Sequence, residues 1–288
     1  RAGPPGRAAV RGTLEGPRGR VLRPRAVARR TTGPPGERVM SGHNRWTKIK
    51  HKKAAQGAAK GKLFTKLIKE ITVAARLGGG DPAGNARLRA AIDLAREANM
   101  PQDNITRAVK KGTGELEGVA YEEAVYEGYG PGGVAMIVEC LTDNHNRTAG
   151  DVRTCFAKGG GHLAAAGAVS WQFERCGVIE VRPGPGEDQV MEAAIEGGAE
   201  DVLNHGPDGF EVRTHANDLH AVAAALEARK YKLGQRRITF VPKDTLQVTD
   251  PEKARHLLKL LGELEELEDV QHVHANYEID DALLEQLA

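Results

Sequence analysis

Aromatic side chains make up only 4% of the 288 residues, so the cores must be built from Ala, Val, Leu and Ile. Cysteine is scarcer still. Cys140, Cys155 and Cys176 are odd in number and far apart, which excludes a disulfide framework and a zinc knuckle and suits a reducing compartment. No apolar run reaches the length needed to cross a bilayer, so a soluble protein with no membrane partner is expected. Acids are nearly missing from the first 77 residues, where Glu15, Glu37 and Glu70 stand against twenty Lys and Arg. That stretch carries +17, and the remaining 21 cations and 36 anions carry −15. The near-neutral total of +2 therefore conceals a cationic head on an anionic body. Such a division calls for a polyanionic partner at the head, with the body repelled from it. The purely structural reading is that the two parts attract each other across an interface.

Residues 1–39 contain neither Lys nor Ser, and Pro4, Pro5, Pro17, Pro24, Pro34 and Pro35 defeat a sustained helix. With so little apolar surface to offset the entropy of ordering, this segment is expected to be a disordered extension. Two origins fit it. An organelle transit peptide is Arg-rich and acid-poor, but it is also Ser-rich and amphipathic, which this segment is not. Translated upstream sequence ahead of a start at Met40 fits better, and with it a cytoplasmic location; a transit peptide would make the location mitochondrial.

What the head does contain is closely spaced positive charge. The run "GHNRWTKIKHKKAAQGAAKGKLFTKLIK" presents His43, Asn44, Arg45, Trp46, Lys48, Lys50, His51, Lys52, Lys53, Lys60, Lys62, Lys66 and Lys69 as candidate nucleic-acid contacts. Too few acids are present to form i,i+4 pairs along one helix face, while Gly42, Gly57 and Gly61 let backbone approach a ligand closely. Trp46 is either a base-stacking face or a core anchor. Phe64, Leu67, Ile68, Ile71, Ala74 and Ala75 recur with helical period, and Gly78–Gly80 ends that helix. A second helix is expected after a cap at Asn85, and a third from Pro101 to a stop at Gly112. "GAAKGKL" resembles a phosphate loop only superficially, since Leu63 stands where a hydroxyl residue is required and no strand precedes it.

The body reads as mixed helix and strand. A hairpin is expected around a turn at residues 128–133, with one face of residues 134–139 buried and the other partly so. Its "GYGPGG" has the glycines of a phosphate cradle without the spacing, and a turn explains them. A helix follows from about Arg147 to Lys158, capped by Asp143 or Asn146, which leaves Asn144 and Arg147, with Tyr129, as candidate secondary contacts. "AVSWQFERCGVIEV" reads as two strands hinged at Cys176-Gly177. Residues 178–242 then follow a βαββαβ order, the ferredoxin-like arrangement. "KDTLQVTD" reads as a strand, 251–266 as a helix, and "EDVQHVHANYEI" as a last strand. His272 and His274 share a strand face without a third ligand at zinc spacing. Glu263, Glu265, Glu266, Glu268 and Asp269 read as a solvated acidic face. No catalytic set, metal site or cofactor is expected.

The stretches "MSGHNRWTKIKHKKAAQGAAKGKLFTKLIKEI", "LGGGDPAGNARLRAAIDLARE", "YEGYGPGGVAMIVECLTDNHNRT" and "RCGVIEV" resemble the YebC/PmpR family, which includes bacterial proteins and the mitochondrial translational activator of cytochrome oxidase subunit one. The likeness begins at Met40 and leaves 1–39 uncovered. It implies an α+β protein: an N-terminal three-helix bundle followed by two α/β domains, one ferredoxin-like and inserted into the other. The expected divisions are 1–39, 40–117, 118–177 together with 243–288, and 178–242. The resemblance also implies a non-enzymatic regulator that binds ribosomal RNA and relieves ribosome stalling, or else a DNA-binding transcriptional regulator. Lys contacts to phosphate position a protein without specifying sequence, and no base-reading helix is evident, which favours structured RNA.

Overall fold

The computed structural model describes residues 58–287. The extension 1–39 and the candidate residues from His43 to Lys53 lie outside them. Three helices open the described chain: α1 (Ala58–Gly78), α2 (Ala86–Glu97) and α3 (Gln102–Thr113). The apolar stripe of α1, with Leu67, Ile71, Ala74 and Ala75, packs against Leu88, Ala91, Ile92 and Ala95 of α2 and Ile105 and Ala108 of α3. Asn85 is the cap the sequence implies. Its side chain accepts from the Leu88 N–H at 3.1 Å and donates to the carbonyls of Ala74 (2.7 Å) and Gly79 (2.8 Å). One buried amide thus starts α2 and closes α1.

Gly112 does not stop α3, which runs on to Thr113 and ends at Gly114 in the left-handed conformation (φ 83°). Gly112 instead marks where α1 and α3 touch. A Cβ there would lie 2.4 Å from the Thr72 carbonyl oxygen and 2.6 Å from the Ala75 Cβ. Gly112→Ala gains about 0.5–1 kcal/mol of helix propensity but overpacks a contact that costs about 1–3 kcal/mol. Because the nearest neighbour is backbone and cannot swing aside, the steric cost wins. A net loss of about 1–2 kcal/mol is expected in denaturant titrations; an unchanged or raised midpoint would contradict this packing.

Beyond the bundle come β1 (Glu122–Tyr129), β2 (Ala135–Thr142), α4 (His145–Lys158), β3 (His162–Leu163) and β4 (Phe173–Val181). Then follow α5 (Glu187–Gly197), β5 (Asp201–Asn204), β6 (Phe210–His215), α6 (Leu219–Ala228) and β7 (Leu233–Pro242). The chain ends with β8 (Leu246–Gln247), α7 (Pro251–Glu266), β9 (Val270–Ala275), β10 (Tyr277–Glu278) and α8 (Asp281–Leu287). The architecture is α+β, with two four-stranded sheets and a short parallel pair of β8 with β10.

The first sheet has the order β3-β1-β2-β9. Strand β9 comes back to pair antiparallel with β2 after the chain has built all of the second sheet. Met136, Val138 and Cys140 of β2 join a core with Val152 and Phe156 of α4 and Leu257, Leu260, Leu261 and Leu264 of α7. The opposite face of β2 is buried as well, since Ala135 and Ile137 pack against Val169, Phe173 and Phe240. The sequence pattern suggests only partial burial there, because the cover comes from a distant segment.

The second sheet has the order β5-β6-β4-β7, antiparallel throughout. That is the ferredoxin-like strand order, with α5 and α6 on one face over Ile179, Val181 and Val212. The expected hinge at Cys176-Gly177 is absent. Residues 173–181 form one strand, and Gly177 is there because a Cβ would lie 2.7 Å from Thr214 Cγ2 and 3.0 Å from Leu219 Cδ1. Two further expectations shorten. "KDTLQVTD" yields only the two residues of β8, and the last strand breaks at Asn276. The Asn276 side chain accepts from the Ala135 N–H at 2.8 Å and donates to Gln172 Oε1 at 3.0 Å.

Candidate nucleic-acid interface

The four candidate lysines that the structure describes lie along α1 and differ in surroundings. Lys60 is exposed, with its Nζ 5.6 Å from the centroid of the Phe64 ring. Lys62 ion-pairs with Glu266 at 2.7 Å, both partners remaining about half exposed. Lys66 Nζ donates to the Glu265 carbonyl at 2.6 Å. Lys69, expected on the ligand face, is only 3% exposed and pairs with Asp269 at 2.7 Å, donating also to the Glu268 carbonyl at 3.3 Å.

The reason these three turn toward the end of α7 is electrostatic. The last four carbonyls of a helix have no partner within it, and the helix dipole places negative charge there. Helix α7 has no basic residue in its last turn, and acids crowd the same end. Lys62, Lys66 and Lys69 stand at i, i+4 and i+7 on α1 and supply the missing cations from another part of the chain. The acidic run 263–269 is therefore not simply a solvated face.

Asp269 gathers four side-chain donors. Its carboxylate accepts from Lys69, from the Arg147 guanidinium at 2.9 Å, from Thr148 Oγ1 at 2.7 Å and from Thr142 Oγ1 at 3.2 Å. Burial opposes ionisation, but these donors hold the carboxyl down at about 2. Two candidate contacts from distant parts of the chain, Lys69 and Arg147, thus meet on one acid. Lys69 also lies 5.4 Å from the centroid of the Tyr121 ring, and Arg76 donates to the Tyr121 carbonyl. Along the same flank Arg87 bridges Glu70 and Glu123, each at 2.6 Å.

The start of α4 differs from the sequence reading. Asn144, not Asp143 or Asn146, is the cap; its Oδ1 accepts from the Arg147 N–H at 3.1 Å. Asp143 is engaged by the Arg147 guanidinium at 2.6 Å instead. Tyr129 is half-buried, donates its hydroxyl to the Ala168 carbonyl at 3.1 Å and has its ring 5.5 Å from that of His162.

His274, Glu139 and two of the cysteines are buried or half-buried in the sheets. His274 Nε2 lies 2.7 Å from Glu139 Oε2. Burial raises the Glu139 pKa, but the contact with His274 outweighs it and keeps the carboxyl below its ordinary value. Burial pushes the thiols of Cys140 and Cys176 up to about 12 and about 11, far from the range of reactive thiolates. Among the described residues, no group of three His, Cys, Asp or Glu is placed to hold a metal ion, and no helix is long and apolar enough to cross a membrane.

Comparison with known proteins places these features. Residues 44–115 match the family model of the TACO1/YebC protein N-terminal domain, and residues 121–277 match that of the TACO1/YebC second and third domain. A probable transcriptional regulatory protein of Myxococcus xanthus is 62% identical over 248 residues, covering 86% of this chain and 99% of the relative. One of Desulfotalea psychrophila with the same description is 54% identical over 250 residues, covering 86% and 100%. A solved structure of a conserved hypothetical protein from Aquifex aeolicus is 51% identical, superposes with a TM-score of 0.74, and covers 82% of this chain and 98% of its own. With both of its parts matched in order and relatives alike over nearly their whole length, the chain belongs to the TACO1/YebC family.

Proposed function

We propose that this chain is a non-enzymatic, nucleic-acid-binding regulator of gene expression that acts in translation, gripping ribosomal RNA through its cationic head and relieving stalled ribosomes. The division of charge carries the reading: +17 in the first 77 residues against −15 in the rest. The arrangement of α1 supports it. Lys62, Lys66 and Lys69 are occupied by the acidic end of α7, so they orient the head on the body. Lys60 remains exposed, and Arg107, Lys110 and Lys111 of α3 are exposed too. The cations from Arg45 to Lys60 carry the binding in this reading. The head, the first sheet with its helices, and the inserted second sheet with its helices, whose first strand begins at Phe173 rather than at 178, act as three units. Lysine-dominated contact gives position without base readout, which suits a structured RNA.

Sedimentation through sucrose tests this. The protein is expected to travel with ribosomes at low salt and to leave them at high salt, and its deletion is expected to worsen readthrough of stalling reporters. Protein that stays at the top at low salt, with reporters unaffected, contradicts it. The second reading is a DNA-binding transcriptional regulator, favoured by the names of the Myxococcus and Desulfotalea relatives. It requires a promoter bound at least about a thousandfold tighter than random duplex.

A further inference from the structure

The body carries an aromatic surface whose construction points to a ligand. Glu127 of β1 is 7% exposed, and its carboxylate accepts from the backbone N–H groups of Gly167 (2.8 Å), Val169 (2.6 Å) and Ser170 (3.0 Å). The same segment is tied at its other end. The Lys243 N–H donates to the Gln172 carbonyl at 2.9 Å, and Lys243 Nζ donates to the Trp171 carbonyl at 2.9 Å. The segment is thus held on both sides and underneath. Yet the side chain at its crest, Trp171, is 67% exposed.

A singly exposed apolar residue needs no explanation in general. What distinguishes this indole is its mount. Its Nε1 already donates to the Ala168 carbonyl at 3.0 Å, the same oxygen that accepts from Tyr129. Tyr129 in turn lies against the exposed ring of His162. Since the polar handles of Trp171 and Tyr129 are both spent, the indole has only its flat faces left to offer. An exposed ammonium, that of Lys243, is fixed at the indole's own backbone. Flat apolar faces beside a cation complement a nucleobase attached to a phosphate, and stacking of this kind tolerates any base. Bases inside a duplex are already stacked on each other, so the partner must be unpaired.

We propose that Trp171 is a stacking platform for an unpaired RNA base, with Lys243 on the adjoining phosphate and Tyr129 and His162 as its flank. This inference rests on the nucleic-acid reading above and adds to it a second contact, on the body, selective for single strands. The test uses the full chain with a short single-stranded RNA containing thiouridine and with the matching RNA duplex. Trp171→Ala is expected to weaken the single strand about tenfold while leaving the duplex unchanged, and Trp171→Phe to restore most of the loss. Photocrosslinks from the wild-type complex are expected in the peptide holding Trp171. Equal thermal midpoints are required of both variants, which separates loss of binding from loss of folding. Single-strand affinity unchanged in Trp171→Ala, which would leave the indole to a protein partner, overturns the platform alone, as does an equal loss on the duplex. Wild-type protein that binds neither RNA overturns the platform together with the nucleic-acid reading.

Discussion

Asp269→Ala is expected to cost roughly 3–5 kcal/mol, the penalty for removing one partner of a buried ion pair, and to free the helical bundle from the sheets. The change leaves Lys69 at 3% exposure without its carboxylate and removes the acceptor shared by Arg147, Thr142 and Thr148. Lys69→Met is expected to cost less, because Asp269 keeps Arg147 and both threonines. The loss concerns one interface of a chain with several cores, so it should be read locally. Hydrogen exchange in α1 is expected to quicken while exchange in β4 and β6 stays as before. The pH dependence follows from the same carboxylate. Its value of about 2 in the folded protein lies below the ordinary value of about 3.9. Its contribution is therefore complete above about pH 4 and is lost as pH falls through 2. Exchange in α1 that matches the wild type in Asp269→Ala would show that the Lys69–Asp269 pair does not hold the bundle to the sheets.

Replacing Lys48, Lys52, Lys53 and Lys60 together by Glu is expected to weaken RNA binding at least a hundredfold at low salt, since each lysine on a phosphate releases a counterion. Stability is expected to stay close to wild type. The set deliberately omits Lys62, Lys66 and Lys69. Their contacts with residues 265–269 would mix loss of docking with loss of binding. If the four lysines instead serve only to pack the head against the acidic body, the outcome inverts: a less stable protein that still binds RNA. Circular dichroism and thermal melting beside filter binding separate the two.

Where the determinants are local, the sequence is a good guide to this fold. Asn85 sits before an apolar period and caps it, and the strand and helix order read over residues 178–242 is the one the second sheet adopts, although its first strand starts earlier, at Phe173. The misreadings share one cause. Gly112 and Gly177 look like breaks in the chain, but each lies where another element comes too close for a Cβ. That information belongs to Thr72, Ala75 and Thr214. Asp143, Asn144 and Asn146 are all fit by type to cap α4, and the choice falls to Asn144 once Arg147 has engaged Asp143.

The candidate site divides in the same way. The charge asymmetry is visible from composition, but the destination of each lysine is not. Lys69 and Asp269 are two hundred positions apart, and their pairing depends on how the bundle meets α7. One signal of it was present: a helix with acids at its C-terminal end and no cation in its last turn needs positive charge from elsewhere. The mount of Trp171 was hidden for a different reason. Glu127 reads as an ordinary strand acid until three backbone N–H groups from residues 167–170 converge on it.

The central claim, that the head binds through phosphate, is tested most directly by the salt dependence of its affinity for structured ribosomal RNA. Between Met40 and the lysines docked on α7 stand six cations, Arg45, Lys48, Lys50, Lys52, Lys53 and Lys60. If these make the contact, log K against log salt falls with a slope of roughly −4 to −5. A slope near zero, or no measurable binding in dilute buffer, would contradict it.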